Sequence, residues 1–491
     1  MNVEQIIKLL NQQTKKNIEA DSLITGVTDD SRDVEEGYVF VAVRGYQVDG
    51  HDFIEEAIQK GAAVVVTEDE VEHEGAVCLQ TENSRKALGQ IAAAFYGHPS
   101  EDKIVIGVTG TNGKTTTSHM IKHLCEKNGY SCGMFGTIDY VVNDKVVPGI
   151  QTTPSAPLLQ KLLYESKDDV VVMEVSSHGL AQYRLEGVTF DYAVFTNLYK
   201  DHLDYHDSME SYFEAKSKLF HMLKPGGKSV INTDDSWGEK LAHLLEEKGT
   251  SVCKVGHHLD HEIVLKDIDT DDFTACIHYD GEDRKVTSPL KGTHNVYNTL
   301  EAFAVGLQLG ISFSDMEKAM TSLPGIRGRF ELIEFEDGPT VVVDYAHTAD
   351  SIEHVLDTAR QQGAASLTHV FGFRGDRDIS KRGEMIGASA IRADHYILTL
   401  DDLNTATFDG MVSTLEDLQK EFGDSSGRII PDRTLAIEEA IMNSGTEDWV
   451  VITGKGHESY QQKYHYPVNS DKEMVEDMKQ KLKSVKKDMM A

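Results

Sequence analysis

The sequence predicts an α/β protein of three successive units, with open parallel sheets in the central and last units. Three observations predict it. Short runs of β-branched residues alternate with helix-period segments along most of the 491 residues. That length accommodates about three domains of roughly 150 residues. A glycine-rich loop, Gly107-Val108-Thr109-Gly110-Thr111-Asn112-Gly113-Lys114-Thr115, directly follows one of the apolar runs.

Residues 1–99 read as a small mixed α/β unit. Tyr38-Val39-Phe40-Val41-Ala42-Val43 and Ala62-Ala63-Val64-Val65-Val66 are strand-like, and Phe53 to Ile58 is a helix between them. His98-Pro99-Ser100 interrupts the chain before a new pattern begins.

From 100 to 331, apolar strands alternate with helices as in a parallel sheet covered on both faces. Lys103 to Val108, Val170 to Val175 and Tyr192 to Thr196 are the clearest strands, and the helix after Lys114 carries Met120, Ile121, Leu124 and Cys125. Residues 253–287 alternate more, as an antiparallel edge or hairpin would. A third unit, 332–491, follows Gly325-Ile326-Arg327-Gly328-Arg329. Its strands Thr340 to Asp344, Leu367 to Phe371, His395 to Thr399 and Trp449 to Thr453 predict a Rossmann-like open sheet. A lysine-rich helical tail from Met474 to Ala491 is expected to fray.

Composition narrows the function classes. Lys and Arg total 48 against 81 Asp and Glu, a formal charge of -33, which argues against a nucleic-acid partner. No apolar run approaches the roughly 18 residues of a membrane span, and the acidic start Met1-Asn2-Val3-Glu4-Gln5 lacks signal-peptide layout. A cytoplasmic monomer without membrane insertion is expected. The five cysteines form no CxxC pair, so reduced, packed thiols are expected.

The loop carries the first chemistry. Glycines admit backbone N–H groups close to phosphate oxygens, and the following helix N-terminus adds partial positive charge. Lys114 would neutralise terminal phosphates, and the Thr115 hydroxyl can ligate Mg²⁺. Position five before Gly113 is Val108 rather than the general motif's glycine. Hydrolase, kinase and ligase all fit such a loop.

Other segments discriminate among these. They include Asp30-Ser31-Arg32, Thr152-Thr153-Pro154, Met173-Glu174-Val175-Ser176-Ser177-His178, Asn197 to Asp204, Tyr212 to Phe220, His294-Asn295-Val296-Tyr297-Asn298, Asp344 to Thr348 and Thr453 to Glu458. Together, from about Asp30 to Glu473, they resemble the Mur ligase family, which joins amino acids onto the peptidoglycan precursor. The likeness is greatest to members adding the third residue to UDP-N-acetylmuramoyl-L-alanyl-D-glutamate.

The resemblance implies an ATP-dependent amide ligase with three substrates: ATP, the UDP-muramoyl-dipeptide and an amino acid. It makes 1–99 the unit for the UDP end, 100–331 the ATP-binding unit and 332–491 the amino-acid-binding unit. Gly110, Thr111, Asn112, Gly113, Lys114, Thr115 and Thr116 would cradle ATP, with Asn295, Asn298, Arg329, Asp344 and His347 completing its site. Lys114, Glu174, His202 and Lys216 become the catalytic set. Thr115, Glu174, His202 and Lys216, the last as an N-carboxylated lysine, become magnesium ligands.

Taken alone, His202 reads as a structural histidine and Lys216, flanked by Lys218, as a solvated charge. His178, His202 and His206 lie close enough in sequence to raise zinc, but the phosphate loop and acidic neighbours favour the harder magnesium. Ser31, Arg32, Thr152, Thr153, Ser177 and Arg184 resemble residues holding the UDP-muramoyl substrate.

In the third unit, Arg377, Asp401, Asp402, Asn404, Gly454 and Glu458 fall where the family binds its amino acid. The family's Asp-Asn-Pro-Arg signature lands on Asp401-Asp402-Leu403-Asn404, and Arg374 stands where glycine is common. Asn404 lacks the guanidinium that reads the distal carboxylate of diaminopimelate. Diaminopimelate is therefore disfavoured, and Asp401 and Asp402 tilt the expectation towards an amino acid with a distal amine. A secondary-pathway paralogue, a folylpolyglutamate synthetase-like ligase and an inactive nucleotide-binding regulator are the rival readings.

Overall fold

The computed structural model describes residues 1–11, 22–45, 48–376 and 378–490, with backbone alone over 485–490. Its strands form three sheets. The first is four-stranded and all-parallel, in the order Gly26–Thr28, Tyr38–Val41, Val64–Thr67, Val77–Gln80. Every residue of Val64–Thr67 is buried, as expected of a strand covered on both faces.

The second sheet has eleven strands. Ile104–Thr109 lies between Phe190–Phe195 and Val170–Glu174, parallel to both. Val108 pairs with Glu174, and Thr109 with Phe195. This register sets the phosphate loop beside the carboxyl ends of both neighbours, where open α/β sheets bind ligands. Valine and isoleucine runs bury both faces, one under the helices Lys114–Lys127 and Thr293–Gln308, the other under Ala156–Glu165 and Ser236–Glu247. The expected antiparallel edge is present over Ile263–Asp269, Thr274–Tyr279 and Glu282–Thr287. Its boundary differs from expectation: Ser251–Gly256 pairs in parallel with Leu223–Asn232 and with Ile263–Asp269. A second antiparallel edge, Asp139–Val142 with Lys145–Pro148, was not foreseen.

The third sheet runs Glu331–Glu334, Thr340–Val343, Trp449–Ile452, Leu367–Phe373, His395–Leu400, Gly427–Ile429, parallel except for its first strand. The final helix, Asp471–Met490, is anchored over its first turns rather than frayed from Met474 onward. Met474, Val475 and Met478 are buried against this sheet's core. At its start Asp471 receives two hydrogen bonds of 2.7 Å from the fully buried Arg433. Such bidentate pairing satisfies a charge that would otherwise be costly inside the protein.

Candidate active site

Gly113 opens the helix Lys114–Lys127 with φ 86°, and a Cβ there would come within 2.5 Å of Asn298 Oδ1. Backbone conformation and the close approach of Asn298 both demand glycine. Lys114 Nζ folds back to donate to the Gly110 and Thr111 carbonyls at 2.8 Å.

Thr115 Oγ1 donates to Glu174 Oε2 at 3.0 Å. Thr137 holds the same carboxylate, with its N–H 3.0 Å from Oε1 and its hydroxyl 2.8 Å from Oε2. Thr137 was not anticipated, because nothing in its local sequence marks it. From the end of the central unit, Arg329 Nη2 reaches Thr115 Oγ1 at 2.9 Å while its guanidinium lies 4.9 Å from the Tyr345 ring. That stacking is a favourable cation–π geometry.

Across the loop, Lys216 contradicts its reading as a solvated charge. Its side chain is 1% exposed, with Nζ donating to the Gly110 carbonyl at 2.7 Å and lying 4.6 Å from the Tyr212 ring. Burial first, then the charge of Lys114, push Lys216 well below the ordinary lysine range. A neutral amine is the form that reacts with carbon dioxide to give a carbamate.

Asp201 lies beside it, also unanticipated. Lys381 Nζ is 2.8 Å from its Oδ1, and the His202 and His347 rings approach Oδ2 at 3.4 and 3.7 Å. Desolvation opposes ionisation there, but His347, His202 and Lys381 hold Asp201 well below the carboxylate range. His202 itself sits at φ 55°, and desolvation lowers its pKa while Asp201 opposes the shift.

The helix Thr293–Gln308 brings up the other cavity wall. Asn295 Nδ2 donates to the Lys291 carbonyl at 2.6 Å, and Asn298 Nδ2 donates to Asn295 Oδ1 at 2.9 Å. Asp344 accepts the Phe330 and Ala346 N–H groups at 2.7 Å, and Asn112 Nδ2 donates to Asp350 Oδ2 at 3.1 Å. The resulting cavity of about 520 Å³ is lined by Thr111 through Thr116, Glu174, His202, Lys216, Asn295, Asn298, Arg329, Asp344, His347, Asp401 and Gly454. Thus residues far apart in the chain converge on one space.

Thr152 and Ser177 also line this cavity. Thr152 Oγ1 lies 3.0 Å from Thr137 Oγ1, and Thr153 Oγ1 donates to the Glu174 carbonyl at 2.9 Å. Ser177 Oγ is buried without a protein partner among the described residues. Arg184 Nη1 donates to the Thr153 carbonyl at 2.9 Å. Ser31 and Arg32 do not line the cavity: Ser31 bonds Glu56 at 3.2 Å, and the 83% exposed Arg32 pairs with Asp30.

The amino-acid segment differs from expectation. Asp401 and Asp402 are neither solvated nor open to a distal amine, since Lys455 Nζ contacts them at 3.1 and 2.7 Å inside the protein. Desolvation opposes this too, but Lys455, Arg433 and Arg374 hold Asp401 down to about 2. Asn404, at φ 52°, turns inward and donates to the Gly375 carbonyl at 2.6 Å. Glu458 accepts from Tyr345 OH at 3.0 Å and from Arg374. Arg377 lies outside the described residues.

The oxygen donors fit magnesium in part. Thr115 and Glu174 offer hard oxygens side by side, the chemistry the ion prefers. Among the described residues, no three His, Cys, Asp or Glu side chains converge as a metal-binding group. His202 and Lys216 belong to the Asp201 wall, and an uncarboxylated Lys216 amine offers no oxygen.

Comparisons with known proteins identify the family and the fold. Residues 23–96 match the pattern described as Mur ligase family, catalytic domain. Residues 108–306 match the Mur ligase middle domain, and 328–456 the Mur ligase, glutamate ligase domain. A Bacillus velezensis protein named UDP-N-acetylmuramoyl-L-alanyl-D-glutamate--2,6-diaminopimelate ligase is 37% identical over 474 residues, covering 94% of this chain and 95% of that one. A solved structure of a ligase with that name superposes with a TM-score of 0.68 at 30% identity, covering 97% and 98%. MurF ligase from Thermotoga maritima, solved with ADP, shares the fold with a TM-score of 0.64 at 21% identity, covering 88% and 94%.

Proposed function

The chain belongs to the Mur ligase family, an ATP-dependent amide-bond ligase by membership, and from that premise we propose that it adds an amino acid to the D-glutamate of UDP-N-acetylmuramoyl-L-alanyl-D-glutamate. One observation carries the reading. The phosphate-loop wall with Lys114, Thr115 and Glu174, and the Lys216–Asp201 wall, face one cavity that Arg329, at the end of the central unit, completes with His347 and Lys381 of the last unit.

In this reaction the substrate carboxylate attacks the γ-phosphate of ATP, forming an acyl-phosphate and ADP. The free amine of the amino acid then attacks the acyl carbon and phosphate leaves. Lys114 takes the role of stabilising charge on the transferring group, exchanging the Gly110 and Thr111 carbonyls for phosphate oxygens. Thr115 and Glu174 would hold magnesium, which when bound neutralises phosphate charge and acts as a Lewis acid. Carboxylation of Lys216 would turn its buried amine into a second oxygen donor, a role supported by the depressed basicity of that amine. Asn295, Asn298, Asp344 and His347 take the nucleoside side of ATP. Thr152, Thr153, Ser177 and Arg184 take the muramoyl-peptide, and Ser31 and Arg32 the UDP end. Closure of the third unit over the site would exclude water, which would otherwise hydrolyse the acyl-phosphate.

The relatives' name points to diaminopimelate, while Asn404 lacks the arginine expected for its distal carboxylate. A phosphate-release assay with ATP, the UDP-muramoyl-dipeptide and a panel of amino acids tests the reading. Release dependent on both dipeptide and amino acid is expected; release without the dipeptide, or with no amino acid in the panel, would sink it.

A further inference from the structure

We propose that Glu301 is a positioning residue for the nucleoside end of ATP: as a neutral carboxylic acid it donates its proton to Thr117, and this fixes how the Asn298 and Asn295 amides are turned. The effect passes through Thr117 rather than through contact with the nucleotide. The inference rests on the ligase reading above.

Asn295 Nδ2 donates to the Lys291 carbonyl at 2.6 Å, which leaves Asn295 Oδ1 to accept from Asn298 Nδ2 at 2.9 Å. That contact turns Asn298 Oδ1, which can only accept, towards Thr117 Oγ1 at 3.2 Å. Thr117 has a single hydroxyl proton, and Asn298 takes it. The Thr117 oxygen also lies 3.1 Å from Glu301 Oε2. With its own proton committed, Thr117 can only accept there, so the proton between them belongs to Glu301.

The surroundings of Glu301 favour the neutral form. It is fully buried on the helix Thr293–Gln308, which packs against the phosphate-loop helix Lys114–Lys127. Among the described residues no lysine, arginine or histidine pairs with it, and Oε1 has no hydrogen-bond partner. Burial, opposed by the Thr117 hydroxyl and reinforced by Asp235, pushes the carboxyl well above the ordinary carboxylate range. An ionised Glu301 would be an unpaired charge in the core and would draw the Thr117 proton to itself. Asn298 would then lose its donor. Flipping its amide to regain a partner would set its oxygen against Asn295 Oδ1. With the direction fixed, each amide keeps one N–H that has no protein acceptor among the described residues. Such donors suit the ring nitrogens of a purine. Asn295, Asn298 and Glu301 line the same end of the cavity as Tyr297 and Asp235.

The test is equilibrium titration of the full chain with MgADP, which needs no amino-acid substrate. E301Q keeps a neutral donor for Thr117 and should bind MgADP within about twofold of the wild type. E301M fills the volume without a donor and should weaken binding by about tenfold, the effect of one lost buried hydrogen bond. T117V should lose as much as E301M, and the double variant no more than T117V alone, because both changes break one chain. Infrared difference spectra of the wild type against E301Q at neutral pH should show a carboxylic-acid C=O band. A clear loss in E301Q, an E301M that binds as E301Q does, additive losses in the double variant, or a carboxylate band in place of the acid band overturns the assignment alone. E301Q and the infrared band decide the matter even if E301M fails to fold. A wild type that does not bind MgADP overturns the ligase reading, and this assignment with it.

Discussion

Lys381 Nζ lies 2.8 Å from Asp201 Oδ1, a largely buried ion pair joining the last unit to the wall beside the phosphate loop. Both side chains are shielded, at 13% and 5% exposed, so neither is well solvated when the other is removed. Breaking such a pair while the surviving charge stays buried costs about 3–5 kcal/mol. K381M should therefore disfavour docking of the last unit against this wall. Steady-state kinetics should show kcat reduced by at least about tenfold with a smaller change in ATP KM. A wild-type kcat would remove the pair from the catalytic cycle.

Glu174 is fixed by both Thr115 and Thr137, which orients a hard oxygen donor at the loop. E174Q keeps the size and loses the charge. Turnover should fall about 100-fold or more, with higher magnesium needed for what remains. Titrating magnesium against phosphate release reads this directly, and an unchanged magnesium profile would exclude Glu174 from the metal site.

Lys216 is a buried amine whose protonation is suppressed. Removal of dissolved carbon dioxide should lower activity, and bicarbonate should restore it. K216M should be inactive and indifferent to bicarbonate. Wild-type activity that ignores carbon dioxide would argue that the amine works uncarboxylated.

His369 tests the last unit away from the chemistry. It is fully buried between Ser389 Oγ at 2.8 Å and Thr453 Oγ1 at 2.9 Å, and burial, then Arg433, pushes it down to about 3. The unfolded chain binds this proton near the ordinary histidine value of about 6.5, whereas the folded chain does not. Its contribution to stability is therefore full above about pH 6.5 and is lost progressively towards about pH 3, by up to about 1.4 kcal/mol per pH unit. Urea unfolding of H369N at several pH values should show a shallower slope over that window, whatever its absolute stability. An identical slope would mean that His369 is protonated in the folded protein.

Much of the fold was legible because its strands are apolar runs with little alternative use. Val170–Glu174 and Trp449–Ile452 could hardly be anything else once buried on both faces. The edges were harder. Lys145–Pro148 is wholly exposed and carries no periodic signal, and its strand exists only because Asp139–Val142 is there to pair with it. The terminal lysine-rich helix reads as one that frays because the burial of Met474, Val475 and Met478 depends on a sheet distant in sequence.

The same division runs through the active site. By itself the sequence determined the phosphate loop, since glycine conformation, a helix N-terminus and a lysine–threonine pair are local properties of Gly110 to Thr115. Glu174, His202 and Lys216 were marked only through the family resemblance, since taken alone His202 and Lys216 read as structural and solvated. Only the tertiary structure decided what charge each one meets. It buried Lys216 beside Lys114, gave Asp201 to Lys381, and neutralised Asp401 and Asp402 with Lys455. The reason is physical: desolvation and Coulomb interaction depend on distance in space, and every one of these pairings joins segments that the chain keeps far apart.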